Sequence, residues 1–281
     1  MANADLVLAE REAGETRRIG SGLAALLALL GIGLILFFLV LPTLIVIPMS
    51  VGTSPYIEFP PQGFTFKWYQ QYISDPDWMA ATWFSVRIAA ATTLSATVIG
   101  TLAAVALVRG RLPGKEFLQA LTLAPLIVPH IVIAVALYLF FAPLGLVGNF
   151  YGFVIAHSML AVPYVVITVS ASLQRFDANL ELAALNCGAS RLQAFFHVVL
   201  PNIWPGVAAG AVFAFLASFD EATVAFFISG IEGKTITRKM FEDIDFNLTP
   251  VIAAVSTILT LVSLVLMGAI EIARRRSEQG R

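Results

Sequence analysis

From position 117 to position 174 the chain carries no Asp, Glu, Lys or Arg. A soluble fold cannot cover a surface that way, so this stretch belongs in lipid. One crossing of a ~30 Å hydrocarbon core takes about 20 residues at ~1.5 Å each, and the run is far too long for one. The segment Pro143-Leu-Gly-Leu-Val-Gly-Asn149 divides it, which predicts helices over 117–141 and 150–172. Composition agrees: 58% of the 281 residues are hydrophobic and 12% charged, about half the charge of a soluble protein.

Four further spans follow from the same criterion. The first, at 22–49, lies in the charge-free run between Arg18 and Glu58. It is too long for a cleaved signal peptide and no A-x-A site follows, so it reads as an uncleaved helix. The second covers 79–108, with Arg87 near its outer end, where a long side chain can snorkel to the interface. The fifth covers 203–229 and the sixth 249–272. The expected fold is an all-α polytopic membrane protein of six transmembrane helices. A transmembrane domain over 21–272 sits between an N-tail, 1–20, and a C-tail, 273–281.

Basic residues set the orientation. One side holds twelve: Arg11, Arg17, Arg18, Arg109, Arg111, Lys115, Arg175, Arg191, Arg274, Arg275, Arg276 and Arg281. The other holds four: Lys67, Lys234, Arg238 and Lys239. The bias puts both termini in the cytoplasm, as the even number of spans requires.

Several functions are disfavoured. A net charge of −1 without a basic patch argues against nucleic acid. The single cysteine, Cys187, excludes an internal disulfide and a multi-cysteine metal site. His130, His157 and His197 lack ligand spacing and read as packed or interfacial histidines, so no metal is expected. No phosphate-binding G-x-x-x-x-G-K-[ST], G-x-S-x-G turn or H-E-x-x-H helix occurs. The chain should bind no ATP and carry no catalytic residue.

The cytoplasmic connection 173–202 does not read as a tether. Asp177 or Asn179 can cap a first short helix that places Leu180, Ala183, Ala184 and Cys187 on one face. Gly188 suits a left-handed end. Ser190 can cap a second helix with the stripe Leu192, Phe195, Phe196 and Val199, and Pro201 stops that helix or begins the fifth span. One stripe can fold back on the bundle. The small residues Ala183, Ala184, Gly188 and Ala189 admit close approach by a partner, although a segment lying on the bilayer would share the amphipathic pattern.

This segment resembles the EAA loop of bacterial ABC importer permeases, approximately E-A-A-x-x-x-G-A-(spacer)-L-P. Ala183 and Ala184 match its alanines, Gly188 and Ala189 its glycine and alanine, and Leu200 and Pro201 its leucine and proline. Leu182 occupies the usual glutamate position, and Glu181, one residue earlier, points about 100° away around a helix. Outside the loop, Phe64-Thr-Phe-Lys-Trp-Tyr69, Ser218-Phe-Asp-Glu221 and Lys239-Met-Phe-Glu-Asp-Ile-Asp-Phe-Asn-Leu-Thr-Pro250 resemble polyamine-type permeases. The resemblance implies a type I importer fold in a bacterial inner membrane. It also implies a cytoplasmic ATPase dimer that uses ATP and Mg, a second related permease and a periplasmic binding protein, with spermidine, putrescine or a similar cation as solute. An amino acid derivative, a phosphonate or an opine is the alternative cargo. An ion-coupled transporter, active without ATP, and a non-transporting scaffold are the competing classes.

Within the spans, Asp220 and Glu221 form the one acidic pair. A charge in the bilayer centre costs at least about 2.5–3.5 kcal/mol, so such a pair faces protein or water. Counting from Ile203 puts it roughly 26 Å along its helix, toward the outer side. It can line a pathway or gate, or it can join helices. Pro42, Pro48, Pro125, Pro129 and Pro163 can kink spans. Gly206-x-x-x-Gly210 has helix-packing spacing, here toward a second permease. The outer segments hold seven acids (Glu58, Asp75, Asp77, Glu232, Glu242, Asp243 and Asp245) against four bases. Trp68, Tyr69, Tyr72, Trp78 and Trp83 read as interfacial aromatics rather than a substrate cage.

Overall fold

The computed structural model describes residues 2–279 except 231, 232 and 247. Side chains of 2–24, 269–271 and 273–279 lie outside the description, and with them the terminal arginines of the charge count, as do Glu232 and Arg281. Helix α1 spans Ala2–Met49, α2 Lys67–Ser74, α3 Pro76–Arg109, α4 Lys115–Ile127, α5 His130–Phe141 and α6 Phe150–Arg175. On the 173–202 connection lie α7, Ala178–Asn186, and α8, Arg191–Ala194. Then come α9, Leu200–Phe219, α10, Thr223–Ile228, α11, Ile236–Phe246, and α12, Val251–Gln279. No strand occurs among the described residues.

The centre is a three-helix unit of α3, α6 and α9. Ala96, Ala104 and Leu107 of α3 meet Ala161, Val165, Val166, Val169 and Leu173 of α6, and Ile203, Val207 and Ala214 of α9. In lipid, apolar surface alone does not drive helices together; small side chains that allow close packing do. Gly206 and Gly210 serve that purpose inside this chain. A Cβ on Gly206 would sit 2.1 Å from Ser172 Oγ, and one on Gly210 would sit 2.6 Å from Thr168 Oγ1. Both glycines pack on α6, the helix-contact role their spacing suggested. Ser95 and Ser158 add a 2.6 Å hydrogen bond between α3 and α6.

Two expected spans are not single helices. The 117–141 segment breaks at Val128–Pro129, where α4 and α5 meet at 101°. Proline disfavours helix at the residue before it, and Val128 is extended (φ −71°, ψ 133°). The 203–229 segment breaks at 220–222, between α9 and α10. Five helices are long and apolar enough to cross a membrane, or six if the bent α4–α5 pair is one span. Helix α1 begins at Ala2, and α12 runs on to Gln279. Within α1, none of the Ala25–Met49 window is buried, and nothing lies within 4 Å of a Cβ added at Gly31 or Gly33.

The outer aromatics also differ from expectation. Trp68, Tyr72 and Trp78 are buried in a cluster with Ala89, Phe219, Ile236 and the start of α12. The Trp68 indole N–H donates to the Gly52 carbonyl at 2.7 Å. Short α2 packs on α3 and α12, which takes these rings out of any interface. Trp83 stays exposed.

Candidate functional site

Two places gather the sequence-derived candidates. The first is the 173–202 loop. Asp177 caps α7 by accepting the Asn179 N–H at 2.9 Å. Gly188 ends it with φ +91°, a left-handed conformation natural to glycine. Ser190 caps α8 in a full capping box, its hydroxyl taking the Gln193 N–H while the Gln193 side chain takes the Ser190 N–H. The chain then stays helical through a π turn, Phe195–Val199, into α9, so Pro201 lies in the first turn of α9 and interrupts nothing. A five-residue turn inserted between two helices re-aims their faces. Phe195 and Val199 accordingly pack on the central core, while Leu192 and Phe196 remain exposed.

No residue of α7 is fully buried. Glu181, Ala184 and Leu185 are half-buried on its inner face, whereas Leu180, Leu182, Ala183, Asn186 and Cys187 are exposed. Of the expected stripe Leu180, Ala183, Ala184 and Cys187, only Ala184 turns inward. Glu181 is ion-paired with Arg109, the last residue of α3, whose guanidinium lies 4.9 Å from the Phe176 ring centre. Leu182 is 56% exposed, and no atom lies within 4 Å of a Cβ added at Gly188.

The second place is the break in the fifth segment. Asp220 caps the C-terminal end of α9 and is exposed; it makes no ion pair among the described residues. Glu221 is buried at 7% exposure. Its Oε1 accepts the Val224 N–H at 2.8 Å, holding the first turn of α10. Its Oε2 lies 3.2 Å from His130 Nδ1, at the first residue of α5. Its backbone carbonyl accepts the Thr237 hydroxyl of α11 at 3.0 Å. Ser218, one turn earlier, is 2.9 Å from Nδ1 of the buried His157 of α6. The two broken segments therefore meet: α5 and α10 share an apolar cluster with Phe153, Ala156 and Leu160 of α6. The acidic pair divides, with Glu221 committed to a junction and Asp220 left open. His130 and His157, read from sequence as lone packed or interfacial residues, are partners of the Ser218–Glu221 motif.

An open cleft of about 410 Å³ is lined by Asp77, Trp83, Phe84, Arg87, Lys234 and Lys239 among others. Lys239 donates to Asp243 at 2.8 Å, and Glu242 pairs with Lys234 at 2.8 Å and Arg238 at 3.3 Å. Burial alone would lower the Lys239 pKa. The Asp243 hydrogen bond and the charges of Asp243, Asp75 and Asp77 outweigh burial and raise it above the usual lysine value. Asp75 is occupied as the cap of α3. Much of the outer acidity counted in the sequence is thus spent within the protein, and the cleft itself favours no cation.

Residues 96–279 match the family model described as "Binding-protein-dependent transport system inner membrane component". The chain belongs to this family of importer permease subunits. It is 33% identical over 244 residues to the spermidine/putrescine transport system permease protein PotC of Escherichia coli (strain K12), covering 86% of this chain and 92% of that one. It is 31% identical over 229 residues to the putrescine transport system permease protein PotI of the same strain, covering 79% and 81%. Among solved structures, a bacterial alginate ABC transporter in complex with alginate pentasaccharide-bound periplasmic protein contains a chain with the same fold. The TM-score is 0.65 at 15% identity, covering 89% of this chain and 94% of that one. Type I importer permease is therefore the fold and ABC importer subunit the class, and the ion-coupled and scaffold readings fall away.

Proposed function

We propose that this permease passes a polyamine such as spermidine or putrescine, or a similar small cation, into the cell. The observation that carries the reading is Asp220: a carboxylate left open at a helix break in a membrane segment, beside a second carboxylate whose bonds are all internal. Open negative charge at such a break serves a cation path, because an acid kept in a membrane segment without a structural partner faces water or a pathway. The polyamine names of the two relatives support the choice of solute. Glu221 then belongs to the gate's frame, and Asp220 to the path.

The work comes from elsewhere. An ATPase dimer, which binds ATP and Mg, docks on the exposed face of the coupling segment, whose residues are Glu181, Leu182, Ala183, Ala184, Gly188, Ala189, Leu200 and Pro201; this chain binds no cofactor. A second related permease completes the path, a periplasmic protein delivers solute, and lipid covers the apolar outside. The twelve-to-four arginine and lysine bias supports an inner-membrane orientation with both termini cytoplasmic. ATP-driven closure of the ATPase pair moves the coupling segment and turns the permease pair outward, and hydrolysis resets it.

The test is uptake of labelled spermidine and putrescine by the complete complex carrying Asp220→Asn. The expected result is a raised KM with normal assembly. Unchanged uptake in a normally assembled complex would remove Asp220 from the path. Inhibition by phosphonates or opines, but not by polyamines, would replace the cargo while leaving the mechanism.

A further inference from the structure

The loop carries its family pattern with one departure, Leu182 for glutamate, and the geometry around that departure assigns the neighbouring acid a different job. We propose that Glu181 is a positioning residue: through Arg109 it ties the coupling helix α7 to α3, while Leu182 takes the partner-facing position. The inference rests on the reading that an ATPase docks on α7.

Movement of α7 has to reach all three helices of the central unit. It reaches α6 through the chain itself, because Phe176 and Asp177 join the end of α6 directly to α7. It reaches α9 through α8 and the π turn, against which α7 packs. Nothing covalent nearby leads to α3. Among the described residues, Glu181–Arg109 is the one ion pair, and the one side-chain hydrogen bond, between residues 173–202 and the rest of the chain. Arg109 is the terminal residue of α3, so a pull on Glu181 acts along that helix. Its guanidinium also lies over Phe176, at the α6–α7 joint, so one side chain bridges α3, α6 and α7. Arginine suits the role, since its planar fork pairs with carboxylate and stacks on an aromatic face together.

The same geometry says what is left for the partner. Leu180, Leu182 and Ala183 are exposed on α7 and Cys187 at its end, with Leu192 and Phe196 just beyond. These six side chains are uncharged, and exposed Asn179, Asn186 and Arg191 border them. A partner groove facing the six needs apolar lining, not a base to meet a carboxylate.

The experiment uses the purified complete complex in vesicles and measures solute uptake per ATP hydrolysed, with ATPase retention checked alongside. Glu181→Gln and Arg109→Gln should each keep the ATPase bound and lower that ratio roughly two- to fivefold, the range an ion pair partly open to water supports. The double variant should lose no more than either single one, because both remove the same link. The charge exchange Arg109→Glu with Glu181→Arg should recover most of the ratio. Unchanged ratios, additive losses in the double variant, or release of the ATPase by Glu181→Gln alone would each overturn the proposal. Cys187, exposed at the end of α7 and the single cysteine of the chain, separates this from failure of the docking reading. Maleimide labelling of Cys187 in the unaltered complex should fall when the ATPase is bound. Equal labelling with and without bound ATPase would sink the docking reading itself, whatever the variants do.

Discussion

The two ends of this permease are built on opposite rules. At the 173–202 loop, α7 buries no residue fully and is fastened to α3 by one partly exposed ion pair. At the opposite end of α9, the broken segment is pinned by Ser218 to α6 and by Glu221 to α5, α10 and α11, with most of those groups buried. Elements that move are drawn from the weakly held parts of a fold, and elements that frame a path from the strongly held ones. The contrast reads as a lever at one end and a clamp at the other. The clamp joins two half-helices from distant parts of the chain, so that α5 and α10 behave as one body.

Removing the clamp gives the largest expected effect. Glu221→Ala strips the buried Val224 N–H of its acceptor and the first turn of α10 of its cap, and should cost about 2–3 kcal/mol of stability. Thermal unfolding in detergent measures it. Glu221→Gln still offers an amide oxygen to Val224 and should cost about 1 kcal/mol or less. Equal losses for the two variants would show that His130, and not the cap, carries the clamp.

The two ends also differed in how far sequence could reveal them. Asp177, Ser190 with Gln193, and Gly188 each act within about three residues of themselves, so both loop helices and their junction were legible as local patterns. The side to which α7 turns was not: Glu181 meets a residue 72 positions away. The π turn rotated the second stripe as well, and periodicity at 3.6 residues cannot foresee an inserted residue. At the α9–α10 break almost nothing is local. Ser218 and His157 are 61 residues apart, and a hydropathy run through 203–229 hides a break whose partners lie on three other helices. The Pro129 bend had a visible cause but not a visible size. Burial of Trp68, Tyr72 and Trp78 depended on where α2 came to rest.

The lever end offers an intermediate effect that separates the chain's own strain from its partner's needs. Gly188 holds φ +91°, which costs an L-residue about 1–2 kcal/mol. Gly188→Ala and Gly188→Trp share that penalty. Since no atom of the chain lies within 4 Å of a Cβ there, the added indole meets nothing internal. Similar stability for the two variants, with uptake retained in alanine and lost in tryptophan, is the expected outcome. Full uptake and ATPase stimulation with tryptophan would leave Gly188 outside any docking surface.

The smallest effect is the most informative about the clamp. Asp220 and Glu221 are adjacent and chemically alike, yet one is buried with its bonds made and the other is exposed with none to a side chain. Asp220→Asn should therefore change stability by no more than about 0.5 kcal/mol, as surface substitutions do. A frame residue loses fold when altered, and a path residue loses transport; the pair tests both within one peptide bond. If Asp220→Asn destabilised the protein as much as Glu221→Ala, both carboxylates would belong to the frame. The break would then be a structural joint, and the cation path would have to draw its negative charge from another helix or from the second permease.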